Sequence, residues 1–154
     1  MISLIQRVKN AFVIVNNNII GEINIGLLVL IGVAEGDDEK DVNYIAEKIV
    51  NLRIFSDEND KFNYSLLDIK GELLVISQFT LLGETRKGRR PNFSKAAKPD
   101  VAELQFNKLI EKLKTFDIYI QTGLFGAHME VSLCNDGPVT LILDSTISRR
   151  GNKI

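Results

Sequence analysis

The 154-residue chain has a single cysteine, Cys134, and a single histidine, His128. One cysteine excludes an internal disulfide framework and makes a cytosolic location the default expectation. One histidine beside one cysteine also excludes a structural zinc site built from those residue types alone. Neither a metal nor a cofactor is expected. Long apolar runs are missing: no stretch approaches the roughly 20 residues that span a bilayer. The opening MISLIQRVKN turns polar too early for a secretory signal. An excess of one charge is missing too. The formal net charge is −1, so a polyanion would have to be held by a local patch. A Gly-x-Ser-x-Gly elbow, a P-loop and a dinucleotide fingerprint are all absent. A Ser-His-Asp enzyme is therefore disfavoured. His128 reads as a surface or supporting residue, and Cys134 as a small core residue.

What is present is ordinary globular composition, 45% hydrophobic and 25% charged, in one domain over 1–154. Ser3 to Val8, Phe12 to Val15 and Ile19 to Ile25 read as short strands, with a tight turn at Asn16-Asn17-Asn18. Leu27 to Val33 is a strand buried on both faces. Asp38 caps a helix whose inner face carries Val42, Ile45, Ala46, Ile49, Val50 and Arg53. Ser56 to Asn63 is turn-like, Glu72 to Ile76 is a strand, and Gly83 to Pro99 is a long charged loop. Asp100 with Glu103 forms a capping box for a second helix marked by Val101, Leu104, Leu109, Leu113 and Phe116. Ile118 to Thr122, Met129 to Cys134 and Val139 to Leu143 are the last strands. Ser148 to Ile154 reads as a frayed basic tail. This order implies an α+β fold: largely antiparallel or mixed sheets in a barrel-like two-sheet layer, with two main helices on one side.

Three stretches could carry function. Asn135-Asp136-Gly137-Pro138-Val139-Thr140 puts a Gly-Pro pair between two strands. Proline fixes its own φ and lacks an N–H, and glycine frees the residue before it. The stretch reads either as a hairpin turn or as a rigid main-chain device that meets a ligand. Ser77-Gln78-Phe79-Thr80 ends an apolar strand in polar side chains. It reads either as a strand end satisfied by its neighbours or as a site whose backbone N–H groups face an oxyanion. Arg86-Lys87-Gly88-Arg89-Arg90 is either a solvated charge run or a phosphate contact.

The motifs Ser77-Gln78-Phe79-Thr80-Leu81 and Asn135-Asp136-Gly137-Pro138-Val139-Thr140 resemble the two signatures of the D-aminoacyl-tRNA deacylases, formerly D-tyrosyl-tRNA deacylases. Ile5-Gln6-Arg7-Val8, Asn51-Leu52-Arg53-Ile54-Phe55 and Thr85-Arg86-Lys87-Gly88-Arg89-Arg90-Pro91 agree in register, from Met1 to about Asp144. The tail from Ser145 lies outside the likeness. Leu124 and His128 depart from the family's frequent residue types, so neither is assigned a role.

The resemblance implies a cytoplasmic homodimer that acts on aminoacyl-tRNA. A cis Gly137-Pro138 pair from one subunit would reach into the partner's site and leave no room for an L side chain. Gln78, Phe79 and Thr80 would form the catalytic wall. Ser77 and Asn135 would help bind substrate, and Phe125 and Met129 would hold the terminal adenosine. Arg7 would support the Gly-Pro motif from outside, and Arg86, Lys87, Arg89 and Arg90 would contact tRNA. D-aminoacyl esters, and glycyl esters with them, would be cleaved by oxyanion stabilisation. Rival expectations are a small activated-ester hydrolase and a non-enzymatic RNA-binding dimer.

Overall fold

A computed structural model describes residues 1–150. The elements run β1 (Ile2–Val15), β2 (Asn18–Ile23), β3 (Gly26–Gly32), α1 (Glu39–Asn51), β4 (Phe55–Ser56), β5 (Phe62–Tyr64), β6 (Glu72–Ser77), a 3₁₀ turn (Phe79–Leu82), α2 (Pro99–Lys114), β7 (Ile120–Thr122), β8 (Glu130–Asp144) and α3 (Ser145–Arg150). The expected α+β class is what forms. The main sheet runs β2-β1-β3-β6-β7, with β8 antiparallel to β1. β2 curls back towards β7, where a Cβ on Gly21 would stand 3.1 Å from the Thr122 carbonyl oxygen. The sheet is therefore nearly a barrel.

Alternation along the strands sorts the core into two clusters. Ile5, Leu27, Val29, Ile31, Leu73 and Val75 face α1 and α2. Val8, Val13, Leu28, Leu74 and Ile76 face the other way. Both sets are buried, which is why β3 and β6 are continuous apolar runs. Asp38 caps α1 as expected, receiving the Lys40 N–H at 2.8 Å while Asp41 receives the Asp38 N–H at 2.8 Å. Asn16 and Asn17 take positive φ, 49° and 63°, and turn β1 into β2.

Several expectations are corrected. β1 is one strand, not two. Ser56 to Asn63 contributes to a small β4–β5 hairpin. α1 ends at Asn51, short of Arg53. α2 begins with Pro99 at its first turn and has no side-chain cap, so the capping box of Asp100 and Glu103 does not form: proline supplies the start instead. Its buried face is Ala102, Phe106, Leu109, Ile110 and Leu113, while Val101 and Leu104 are exposed. Glu130 to Cys134 and Val139 to Leu143 belong to the single strand β8, with Met129 just before it, so the intervening turn is not a hairpin. Cys134 is exposed on that strand, not in the core. The supposed frayed tail starts as α3; Gly151 to Ile154 lie outside the described residues.

Backbone approach is closest where β3 meets β6. A Cβ on Gly26 would stand 1.8 Å from the Glu72 carbonyl oxygen. Gly26→Ala should therefore break the start of the parallel pairing and cost more than about 3 kcal/mol, read as a lower urea midpoint. An unchanged midpoint would show that the two strands can part there freely.

Candidate functional site

β6 leaves the core as Leu73 to Ile76 and ends at Ser77. The Gln78 N–H then donates to the Ile31 carbonyl at 2.6 Å. This bond holds the chain against β3 as it bends into the 3₁₀ turn. The first N–H groups of any helix lack partners within it, and here they belong to Phe79 and Thr80. The Gln78 side-chain amide donates to the Thr80 hydroxyl oxygen. An amide N–H₂ is a donor only and takes no proton from threonine.

Beside this turn lies a cavity of about 560 Å³. Ser77, Gln78 and Phe79 form one wall, and Phe125 and Met129 another. Phe125 is braced by Phe106 of α2, with ring centroids 6.1 Å apart. Met129 lies against Gly123, where a Cβ would come within 2.5 Å of its sulfur. The cavity thus brings together five residues singled out from the sequence. Thr80 sits at its edge, outside the lining. His128 lines the cavity as an exposed residue.

Gly137, Pro138, Asn135 and Arg7 are elsewhere. Gln6 pairs with Thr140 and Val8 with Asn135, so Asp136 to Val139 stand opposite Arg7 alone. The excess residues are pushed out of the ladder. Asn135 closes the base of this loop: its Oδ1 accepts the Val139 N–H at 2.8 Å and its Nδ2 donates to the Val139 carbonyl at 3.1 Å. The structure thus gives the Asn135 amide to the loop itself. Arg7 is only 8% exposed. Its Nε donates to the Asp136 carbonyl at 2.8 Å and its Nη1 to the Ile54 carbonyl at 2.7 Å. The Gly137–Pro138 bond is cis and Gly137 has φ +148°. A Cβ there would stand 2.6 Å from Val139 Cγ2 and 2.8 Å from Val139 N, so the loop's own chain demands glycine. Both Gly137 and Pro138 are exposed.

Register separates the two motifs. Arg7 pairs with Leu27, which pairs with Leu73, whereas Ile31 pairs with Ser77. Four residues of strand put the Arg7 end roughly 13 Å from the Ser77 end. Within one chain the Gly-Pro loop does not reach its own cavity.

The basic run lies in an exposed loop that a single antiparallel bridge closes at its base. Reciprocal backbone bonds join Glu84 and Asn92 at 2.8 and 3.0 Å, so residues 85–91 form a hairpin with Gly88 at φ +73°. The Glu84 carboxylate accepts from Arg86 Nε at 2.8 Å and Nη2 at 2.6 Å. Lys95 stands 3.6 Å from the same carboxylate. Among the described residues Lys87, Arg89 and Arg90 have no ion-pair partner, and all three are exposed. Arg86 is therefore committed to Glu84 in a way the sequence did not suggest. Phe93 was missed as well. It follows the hairpin, lines the cavity and meets Phe79 edge-on at 5.1 Å. Its signal was a lone aromatic in a charged stretch. Among the described residues no acidic, His or Cys cluster is placed to hold a metal, and no helix is long and apolar enough to cross a membrane.

Residues 4–144 match the model of a family described as D-Tyr-tRNA(Tyr) deacylase. A D-aminoacyl-tRNA deacylase of Thermosipho africanus is 57% identical over 94% of this chain and 97% of its own. One from Clostridioides difficile is 55% identical over 96% and 99%. A solved structure described as a c-Myc DNA unwinding element binding protein superposes with a TM-score of 0.89 at 40% identity, covering 94% of this chain and 98% of that one.

Hydrogen bonds from the Arg86 side chain and backbone hold the Glu84 carboxyl down, from 4.5 to about 2. A depressed carboxylate contributes fully above its unfolded value and loses that contribution as pH falls through its folded one. The hairpin anchor should thus be complete above pH 4.5 and lost as pH falls through about 2. The Arg86 Nε–H resonance, followed by NMR, should lose its distinct shift in that window. A transition near the ordinary glutamate value would show the pair to be unformed.

Proposed function

The chain belongs to the D-Tyr-tRNA(Tyr) deacylase family, and we propose that it hydrolyses the ester between a D-amino acid and the 3′ end of tRNA while excluding L-aminoacyl groups. The products are the free D-amino acid and tRNA. The observation that carries this reading is the exposed Gly137–Pro138 loop, clamped by Arg7 and Asn135 and standing away from its own subunit's cavity. Such a loop suits insertion into the cavity of a second copy. The working unit is then a homodimer, with each site built from both subunits. Its carbonyls would meet the substrate ammonium, and an L side chain would collide with the loop backbone. Specificity arises by exclusion. Glycine has no Cβ, so a glycyl ester, such as glycine mischarged on alanine tRNA, is also a substrate.

Water attacks the ester carbonyl, and negative charge develops on its oxygen. Backbone N–H groups of Phe79 and Thr80 stabilise that oxyanion. The terminal ribose 2′-OH assists, and the 3′ oxygen leaves with a proton. Thr80 stands at the rim and is not the nucleophile, because its neighbour Gln78 supplies only a donor. Phe125 and Met129 hold the terminal adenosine, and Ser77 completes the floor. Lys87, Arg89 and Arg90, with Arg86 in a lesser role, contact the tRNA backbone.

A second reading is nucleic-acid binding without catalysis. It is favoured by the basic hairpin and by the solved relative whose name says that it binds a DNA unwinding element. Deacylation of matched D- and L-aminoacyl-tRNAs separates the two. The purified protein should cleave the D ester and spare the L ester. Gly137→Ala should lower kcat/KM for the D ester by at least about tenfold with the sheet intact. An intact D ester alongside salt-sensitive RNA binding would establish the second reading.

Replacing Lys87, Arg89 and Arg90 by Ala should raise KM, leave kcat nearly unchanged and lower the salt slope by about one unit per lost phosphate contact. Arg86→Ala should change the slope least, because Glu84 already neutralises it. A collapse of kcat at unchanged KM would place these cations in the chemistry instead.

A further inference from the structure

The 3₁₀ turn that carries Phe79 and Thr80 is only four residues long, Phe79–Leu82. Turns of this length have poor hydrogen-bond geometry and little stability of their own. At its two ends the Leu81 N–H donates to the Gln78 carbonyl at 3.2 Å and the Gly83 N–H to the Thr80 carbonyl at 3.0 Å. Its leading side chain, Phe79, is 56% exposed, so burial does not fix the start of the turn. The Gln78 bond to Ile31 and the buried Leu82 hold the base of the turn, and one side chain outside it meets both ends. The Phe93 ring stands edge-on to Phe79, with centroids 5.1 Å apart and planes 70° apart. At the far end the same ring covers Gly83, where a Cβ would come within 2.9 Å of Phe93 Cε1. Glycine at that position lets the ring edge lie directly on the backbone that closes the turn.

Phe93 is itself placed by the basic hairpin. It follows Asn92, which is joined to Glu84 by the reciprocal backbone bonds that close residues 85–91. On its other side the Ala96 N–H donates to the Phe93 carbonyl at 2.9 Å, and the Ala97 N–H reaches the Val33 carbonyl at 3.0 Å. The ring is thus held between the base of the cationic hairpin and the exit of β3. It also lines the cavity.

We propose that Phe93 is a positioning residue for the hydrolysis, clamping the turn at Phe79 and Gly83 so that the Phe79 and Thr80 N–H groups stay aimed at the reacting ester. This rests on the function proposed above. The hairpin that grips the RNA backbone and the turn that faces the ester then share one aromatic ring. A perturbation of the ring should appear in the chemical step, and not in the grip on RNA.

The test compares Phe93→Leu, which keeps apolar bulk without an aromatic edge, with Phe93→Tyr, which keeps the edge. Each is assayed on a D-aminoacyl-tRNA and on the D-aminoacyl ester of adenosine, which has no phosphate for the hairpin. Phe93→Leu should lower kcat at least about tenfold on both substrates, with KM for the tRNA and its salt dependence within about twofold of wild type. Phe93→Tyr should restore kcat to within about threefold. Amide hydrogen exchange at Leu81 and Gly83 should quicken in Phe93→Leu and not in Phe93→Tyr. If Phe93→Leu melts below the assay temperature, Phe93→Met is held to the same criteria. A wild-type kcat in the Leu or Met variant overturns the inference, as does a loss that Phe93→Tyr shares or one confined to KM. Those results leave the deacylase reading standing. A wild-type protein that leaves both D esters intact overturns that reading and this inference together.

Discussion

A guanidinium buried where β8 breaks its pairing with β1 sets the geometry on which the rest depends. Burying an unpaired arginine is prohibitive, so its donors must be answered within the protein. The Arg7 side chain is answered by the carbonyls of Asp136 and Ile54. Those partners are main-chain groups from two separate segments, and joining them fixes where the Gly-Pro loop leaves β8. The planar fork of arginine suits this task, because it reaches two acceptors at a set angle. Asn135 completes the hold by taking both the N–H and the carbonyl of Val139, which the local break in the ladder has left over. The result is a loop whose shape is set from inside the sheet while its tip is left to solvent.

The cavity at the other end of the sheet is organised on a different principle. Its walls are mostly aromatic rings, aliphatic side chains and a thioether, with Ser77, Gln78 and His128 as the polar side chains that line it. Apolar walls lower the local dielectric, which strengthens any hydrogen bond made to a developing negative charge. They also suit the flat face of a base. The cationic residues are kept outside, on the hairpin, and one of them is neutralised by Glu84. On the proposed function this arrangement would separate attraction of a polyanion from the treatment of an ester, with the Phe93 ring between the two regions.

Much of the fold was legible. The double-faced run at Leu27, the asparagine turn, the Asp38 cap and the α1 face all follow from periodicity and local chemistry. The errors share a cause. Treating β8 as two strands with a turn between them followed the local habit of Gly-Pro, whereas its partner β1 runs past the interruption and pairs with β8 on both sides of it, with the register shifted across the loop. Of the residues that mark α2, Leu109 and Leu113 are buried while Val101 and Leu104 lie on the solvent side, because only packing decides between adjacent faces. Gln78, Phe79, Phe125 and Met129 could be named from motifs, but that they share a cavity depends on long-range pairing that spacing along the chain does not reveal. Phe93 and the commitment of Arg86 to Glu84 were hidden for the same reason: each depends on how residues 83–99 fold back, in a segment whose pattern says only that it is a loop.

Among the described residues the exposed His128 is the one acid–base side chain that lines the cavity, and this scarcity becomes reasonable once the proposed substrate is considered. An aminoacyl ester is already activated, and a single well-placed oxyanion donor is worth about 10²- to 10³-fold in rate. What such a site must supply in quantity is discrimination, since L-aminoacyl-tRNA is chemically as labile as its D counterpart. A polar side chain that recognised the shared ammonium would bind both. A wall of main chain distinguishes them by where the Cβ points, provided that the wall does not yield. On the proposed reading stiffness is the functional property, and it accounts for why Arg7 and Asn135 are tied so closely to the Gly-Pro loop. If a second copy supplies the wall as proposed, an isolated subunit would have an open cavity with nothing to exclude the wrong enantiomer, and assembly and selectivity would be coupled.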